Sequence, residues 1–285
     1  MGDVLAGIHA TWEFEPDAVL IRFERGIRAP KLYQALRERR VPHEALASVT
    51  LSPGRRGTVV LHAVPRAGAD PLMEAAAGQL KDACDPYRLV LPAERETLAE
   101  YYADELRARL GPEAKERADR FLVAAPEAPL QFKAYDGKAS FDGGQVAFRW
   151  FWTGASSAKW KAGDQTFSVR ELSGVEWRSP DVFDGYLRLL RRGHHPEPQA
   201  DQDPAAVVFG LGYGPVHESL PFAAAVLAAV RDAGGEPVPV GAAVTAGRDP
   251  AVIAERIRHL GELYQAGLVT DEEFAAKKAQ LLAEL

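Results

Sequence analysis

His194 and His195, followed closely by Glu197 and Asp201, are side chains that could catch a metal ion. They sit in GHHPEPQADQDP, residues 193–204, a proline-rich exposed loop that gives ligands no rigid geometry, so no metal site is expected. Cys84 lacks an activating neighbour and is expected to be inert. Gly210-Leu211-Gly212-Tyr213-Gly214 is glycine-rich, but Pro215 follows and the spacing of a phosphate loop is missing, which predicts a plain turn. The sequence has no H-E-x-x-H, no Walker A motif and no nucleophile elbow. The expectation is a non-enzymatic protein with no catalytic residue, metal or cofactor.

One window is chemically suggestive. Arg22–Arg40 carries seven Lys/Arg against two Glu in an otherwise acidic chain. A cationic loop there could bind phosphate or an anionic lipid surface through Arg25, Arg28, Lys31, Arg37, Arg39 and Arg40. The bland alternative is a solvated face that pairs with the chain's acids. Trp152 and Trp160, beside Lys159 and Lys161, could mark the equivalent surface further on; aromatics so placed are more often core or packing residues.

The elements that would position these residues follow from bulk properties and pattern. At 285 residues the chain has room for about two domains. Its 47% hydrophobic and 26% charged content is that of a globular protein. A net charge of −6 offers no global attraction to nucleic acid, and none is expected as a partner. A single cysteine excludes an internal disulfide and fits a reducing compartment. MGDVLAGIHATWEF has no cationic start and no long apolar core, Ala6 stands where a myristoylation signal wants Ser or Thr, and no apolar run is long enough to span a bilayer. A cytoplasmic location is expected.

The sequence also repeats. Val41, Leu46, Val49 and Leu51 recur as Phe167, Leu172, Val175 and Trp177 at an offset of 126, and Phe14, Val19, Ile21 and Phe23 recur as Phe141, Val146, Phe148 and Trp150 at 127. In both copies alternating strands come first and one helix last: 94–110 in the first, with Leu98, Tyr101, Tyr102 and Leu106 at helical spacing, and Glu218–Arg231 in the second, apolar along one side. Residues 111–128 read as a linker. This predicts an α+β protein with one module at 1–112, a second at 125–233, a flexible linker at 234–249 and a helical hairpin at 250–285.

The hairpin is read from caps and stripes. Asp249 and Pro250 open a helix with Ile253, Ile257, Leu260 and Tyr264 on one face; Gly267 ends it. Thr270 and Glu273 form a capping box, with Val269 and Phe274 as the hydrophobic staple, and Phe274, Leu281, Leu282 and Leu285 line the second face. A piece this small needs a partner surface. The docking residues would be Ile253, Ile257, Leu260, Tyr264, Leu268, Phe274, Leu281 and Leu282, making a homo-oligomer or engaging another protein.

Two resemblances rest on these residues. Val41-Pro42…Leu46…Val49 and Phe167…Leu172…Val175 resemble the recurring phrase of bacterial pleckstrin-homology-like (PH-like) barrels. That likeness implies two tandem β-barrels, each capped by its C-terminal helix. Leu260–Leu285, through Leu260, Leu263, Gly267, Leu268, Thr270, Glu273, Phe274, Lys278, Leu281 and Leu282, resembles the short C-terminal (SHOCT) domain, which implies oligomerisation or docking. Taken whole, the chain is similar to a bacterial family of unknown function with two PH-like copies and this tail, implying a scaffold rather than an active site.

Overall fold

In the computed structural model, described over residues 3–234, the duplication is visible strand by strand. The first half opens with β1 (Asp3–Ala6), β2 (Ala10–Phe14), β3 (Ala18–Phe23) and β4 (Glu38–Pro42), paired antiparallel in that order. The short helix α1 (Lys31–Leu36) lies in the β3–β4 connection. A three-stranded antiparallel sheet follows: β5 (Leu46–Pro53), β6 (Thr58–Pro65) and β7 (Arg88–Pro92), with α2 (Pro71–Ala76) between the last two. Helix α3 (Glu96–Ala108) closes the half.

The second half repeats the plan. Its four-stranded sheet is β8 (Leu130–Lys133), β9 (Gly137–Phe141), β10 (Gln145–Trp150) and β11 (Gln165–Ser168), with α4 (Ser157–Ala162) before β11. Its three-stranded sheet is β12 (Leu172–Arg178), β13 (Tyr186–Arg191) and β14 (Ala206–Val208), and α5 (Val216–Asp232) ends it. Even irregularities recur. The β5–β6 ladder shifts register between Leu46 and Ser48, and the β12–β13 ladder between Leu172 and Gly174, 126 residues later. The Ile8 N–H donates to the Val90 carbonyl at 2.7 Å, and the Tyr135 N–H to that of Val208 at 2.9 Å. Each half thus ties the turn after its first strand to its last strand.

Alternation explains the cores. Val19, Ile21 and Phe23 on β3, and Val146, Phe148 and Trp150 on β10, all face inward. The β9–β10 turn is held by Asp142, whose Oδ1 accepts the N–H groups of Gly144 (2.8 Å) and Gln145 (2.7 Å). Gly143 there has φ +105°, open to glycine alone at little cost. The result is an α+β fold of four antiparallel sheets and few helices, and among the described residues no sheet closes on itself.

Three expectations need correction. Residues 111–128 are not a free linker: Ala118 and Val123 are buried, and the N–H groups of Ala118, Leu122 and Val123 bond to the carbonyls of Ala67 and Ala69. Helix α3 buries Ala99, Tyr102, Ala103 and Leu106, leaving Leu98 and Tyr101 half exposed, because the small alanines let the helix sit close to β5. Helix α5 is buried on nearly every side, not along one stripe. Its second side meets α1 and α2 of the first half, whose Leu32, Leu72, Ala75 and Ala76 join the second half's core. The Gln79 amide fastens the same seam, donating to the Trp177 carbonyl and accepting the Ser179 N–H, both at 2.9 Å. The expected docking residues Ile253, Ile257, Leu260, Tyr264, Leu268, Phe274, Leu281 and Leu282 lie outside the described residues. Within the described residues no helix is long and apolar enough to cross a membrane.

Candidate interaction surface

The six basic residues singled out in the first half do not form one surface. Arg39 and Arg40 are neighbours on β4 and so point to opposite faces. Arg39 is only 6% exposed. Its Nη2 donates to Asp70 Oδ1 at 2.6 Å, while the Tyr87 hydroxyl donates to Oδ2 at 2.6 Å and the Leu72 N–H to Oδ1 at 2.9 Å. Asp70 is thus both the N-cap of α2 and the hub of a buried network. The Tyr87 hydroxyl is driven far above its usual range, first by burial and then by the Asp70 charge. Arg39 is committed to this network and is not displayed for a ligand. Arg40 faces outward but is engaged, with Nε to Glu15 at 2.9 Å and Nη2 to Asp17 at 2.7 Å; that hydrogen bond pulls the Asp17 carboxyl below its usual range. Arg25, Arg28, Lys31 and Arg37 remain exposed along the β3–β4 connection.

The equivalent connection in the second half shows the opposite arrangement. Lys159, on α4, is the cation that goes inside: it is 0% exposed, and its Nζ donates to Asp136 Oδ2 at 2.5 Å. Asp136, in the β8–β9 turn, also accepts the Val208 N–H through Oδ1 at 3.0 Å. Burial pushes the Asp136 carboxyl up and the Lys159 ammonium down, against their mutual attraction. Lys159 also lies 5.1 Å from the Trp150 ring centroid. The pair therefore pins α4 onto the β8–β9 turn. Gly154 lets this loop lie close, since a Cβ there would come within 2.2 Å of the Tyr135 carbonyl oxygen.

With Lys159 inside, the flanking aromatics are turned out, contrary to the expectation of core packing. Trp152 is 78% exposed and meets the half-exposed Trp160 edge to face at 5.1 Å. Beside them Tyr135 and Tyr213 form a second edge-to-face pair at 6.3 Å, both half exposed. The glycine-rich segment does form a turn. The Tyr213 N–H donates to the Gly210 carbonyl at 2.9 Å, Gly212 takes φ +78°, and Leu211 stands at the apex, fully exposed. Tyr135, Leu211 and Tyr213 escape sequence reasoning because two loops far apart in the sequence bring them together. Their only local signal is a large apolar residue inside a turn motif.

His194, His195 and Glu197 lie in the exposed β13–β14 connection. His194 Nδ1 is 2.9 Å from the Arg192 carbonyl, and the Glu197 carbonyl accepts from Arg188 Nη2 at 2.8 Å. Cys84 is half buried, and burial pushes its thiol up, away from the reactive thiolate.

Fold and surface together define a duplicated α+β protein with an aromatic end on its second half. Residues 12–107 and 139–227 both match the family described as Domain of unknown function (DUF4429), and the chain belongs to that family. Residues 255–282 match the Short C-terminal domain, SHOCT. The two DUF4429 matches cover the two structural halves from near the second strand to the closing helix. No curated protein matches the chain.

Proposed function

We propose that this chain is a non-enzymatic interaction protein that self-associates or docks on another protein through its C-terminal hairpin. In this reading each half is a PH-like module, a four-stranded and a three-stranded sheet closed by a C-terminal helix, and the SHOCT hairpin brings several chains together.

One observation carries the interaction role. In the first half the β3–β4 connection is a packing element, because Leu32 of α1 is buried against α5. Its counterpart in the second half carries Trp152 and Trp160 with no such partner among the described residues. Apolar exposure of this kind, clustered at one end, marks contact surfaces in otherwise ordinary globular proteins. The same connection, used internally once, is free for an external partner the second time.

Multi-angle light scattering tests the role of the hairpin. The full chain is expected to run as an oligomer, and a chain ending at Gly234, past the last residue of α5, as a monomer. Replacing Leu260 and Leu281 by Asp in the full chain should do the same. An unchanged mass per particle in both variants refutes self-association through the tail.

A further inference from the structure

We propose that the outer face of the β8–β9–β10 ladder, together with the aromatic end beside it, docks this protein onto an anionic lipid surface. This goes beyond a general interaction role and names a different site from the basic window of the first half. The register places Lys133 opposite Lys138 and Lys138 opposite Arg149, so three cations stand in one row across three neighbouring strands. All three occupy outward positions, since Phe132, Ala139, Phe148 and Trp150 fill the inward ones. None has an acidic side chain within ion-pair distance among the described residues. Asp164, one step beyond the paired residues of β11, turns an oxygen to the Trp150 N–H instead.

Like charges directly opposite each other cost a sheet stability. The first half shows the same positions filled without that cost. Its row is Ala6, Thr11, Arg22 and Glu38, and its one cation is bonded to Glu13 and lies 3.8 Å from Glu38. One fold, used twice, leaves an uncompensated row only in the second copy, in a chain of net charge −6. An external anion supplies the missing compensation.

The neighbours of the row identify the anion. Lys133 shares its outward side with Tyr135, two residues on, and Arg149 leads through Trp150 into the loop of Trp152. Cations beside exposed Trp, Tyr and Leu are what the headgroup boundary of an anionic bilayer takes up: aromatic rings settle at headgroup depth, and lysines and arginines meet the phosphates. Leu211, fully exposed at its turn apex, adds an apolar contact suited to the acyl boundary beneath the headgroups. The interplanar angles of 86° for Trp152–Trp160 and 79° for Tyr135–Tyr213 leave no parallel slot for a base.

The test is co-sedimentation of the full chain with vesicles of equal parts phosphatidylserine and phosphatidylcholine, against pure phosphatidylcholine. Binding is expected only to the anionic vesicles, weakening as salt rises. Each neutralised cation should lower the partition coefficient about fivefold, so K133Q/K138Q/R149Q should lose about a hundredfold. That variant should melt no lower than the parent, because it relieves a like-charge row. W152S/L211S should weaken binding and leave the salt dependence in place. The proposal is overturned if anionic vesicles do not bind at low salt, or if the triple variant binds as the parent does. It also fails if a single-stranded oligonucleotide or polyglutamate binds through these residues while vesicles do not.

Discussion

Removing the Lys159 ammonium isolates what holds the aromatic end in place. Lys159 and Asp136 are both essentially inaccessible to solvent, at 0% and 1% side-chain exposure, and Asp136 also caps the Val208 N–H. In Lys159→Met the aliphatic stem is largely kept, but Asp136 is left with an uncompensated buried charge. That typically costs about 3–5 kcal/mol, and because the two halves share a core over residues 3–234, each kcal/mol moves the melting temperature of that larger unit by about 2–4 °C. A fall of about 6–20 °C is therefore expected by calorimetry. Asp136→Asn added to Lys159→Met keeps an acceptor for Val208 and removes the orphan charge, so the double variant should regain most of the loss. The pH dependence has a defined sign. Burial already holds the Asp136 carboxyl above the usual 3.8 despite its lysine. Without the lysine it rises further, and a raised folded-state value favours the folded chain as pH falls. Lys159→Met should thus recover stability on mild acidification. A single variant within about 1 kcal/mol of the parent, or a double variant no better than the single, refutes the argument.

Two further outcomes follow from buried groups. Tyr87→Phe removes one of the three donors to Asp70 and should cost about 1.5–3 kcal/mol, whereas Arg39→Met strands the carboxylate and should cost about 3–5 kcal/mol; chemical denaturation that ranks them in reverse contradicts the network. His43 is held below its usual 6.5, first by burial and then by Arg109, so the unfolded chain binds its proton more readily and stability is lost as pH falls below that value. Melting temperatures taken from about pH 8 to about pH 5 should fall less steeply in His43→Leu than in the parent, and equal slopes would remove His43 from the account.

The duplication is legible in sequence because buried strand positions must be large and apolar in both copies. Leu46, Val49, Leu172, Val175 and Trp177 are all in the core; Phe14 and Leu51 are only partly buried where their partners Phe141 and Trp177 are buried. Helix faces are less legible. Whether Leu98 or Ala99 turns inward depends on how close α3 lies to its sheet, and α5 reads as one-sided until α1 and α2 arrive from the other half. Charge is the least legible of all. A run of arginines says nothing about which strand face each one takes, so Arg39 in the core and Arg40 on the surface look alike. Conversely, Lys133, Lys138 and Arg149 are scattered singly along the sequence, and only strand register aligns them.

The two halves have diverged in what they do with one shared connection, and this bears on how weak contacts could become useful. Tyr33 of α1 and Lys159 of α4 occupy equivalent positions 126 residues apart. Tyr33 packs its ring on Phe23 at 4.6 Å and donates its hydroxyl to the Asp85 carbonyl at 2.6 Å, which anchors α1 for its work as packing against α5. Lys159 instead anchors α4 to the β8–β9 turn and keeps the aromatic side outward. A single such end, with a few cations and rings, binds a surface only weakly and reversibly. If several chains are joined through residues 250–285, as proposed above, each later contact becomes intramolecular, and avidity can exceed the single-site affinity by about 10²–10⁴ without a new contact. Under that proposed self-association, a duplicated module that exposes one modest surface needs no tight site to act as a scaffold.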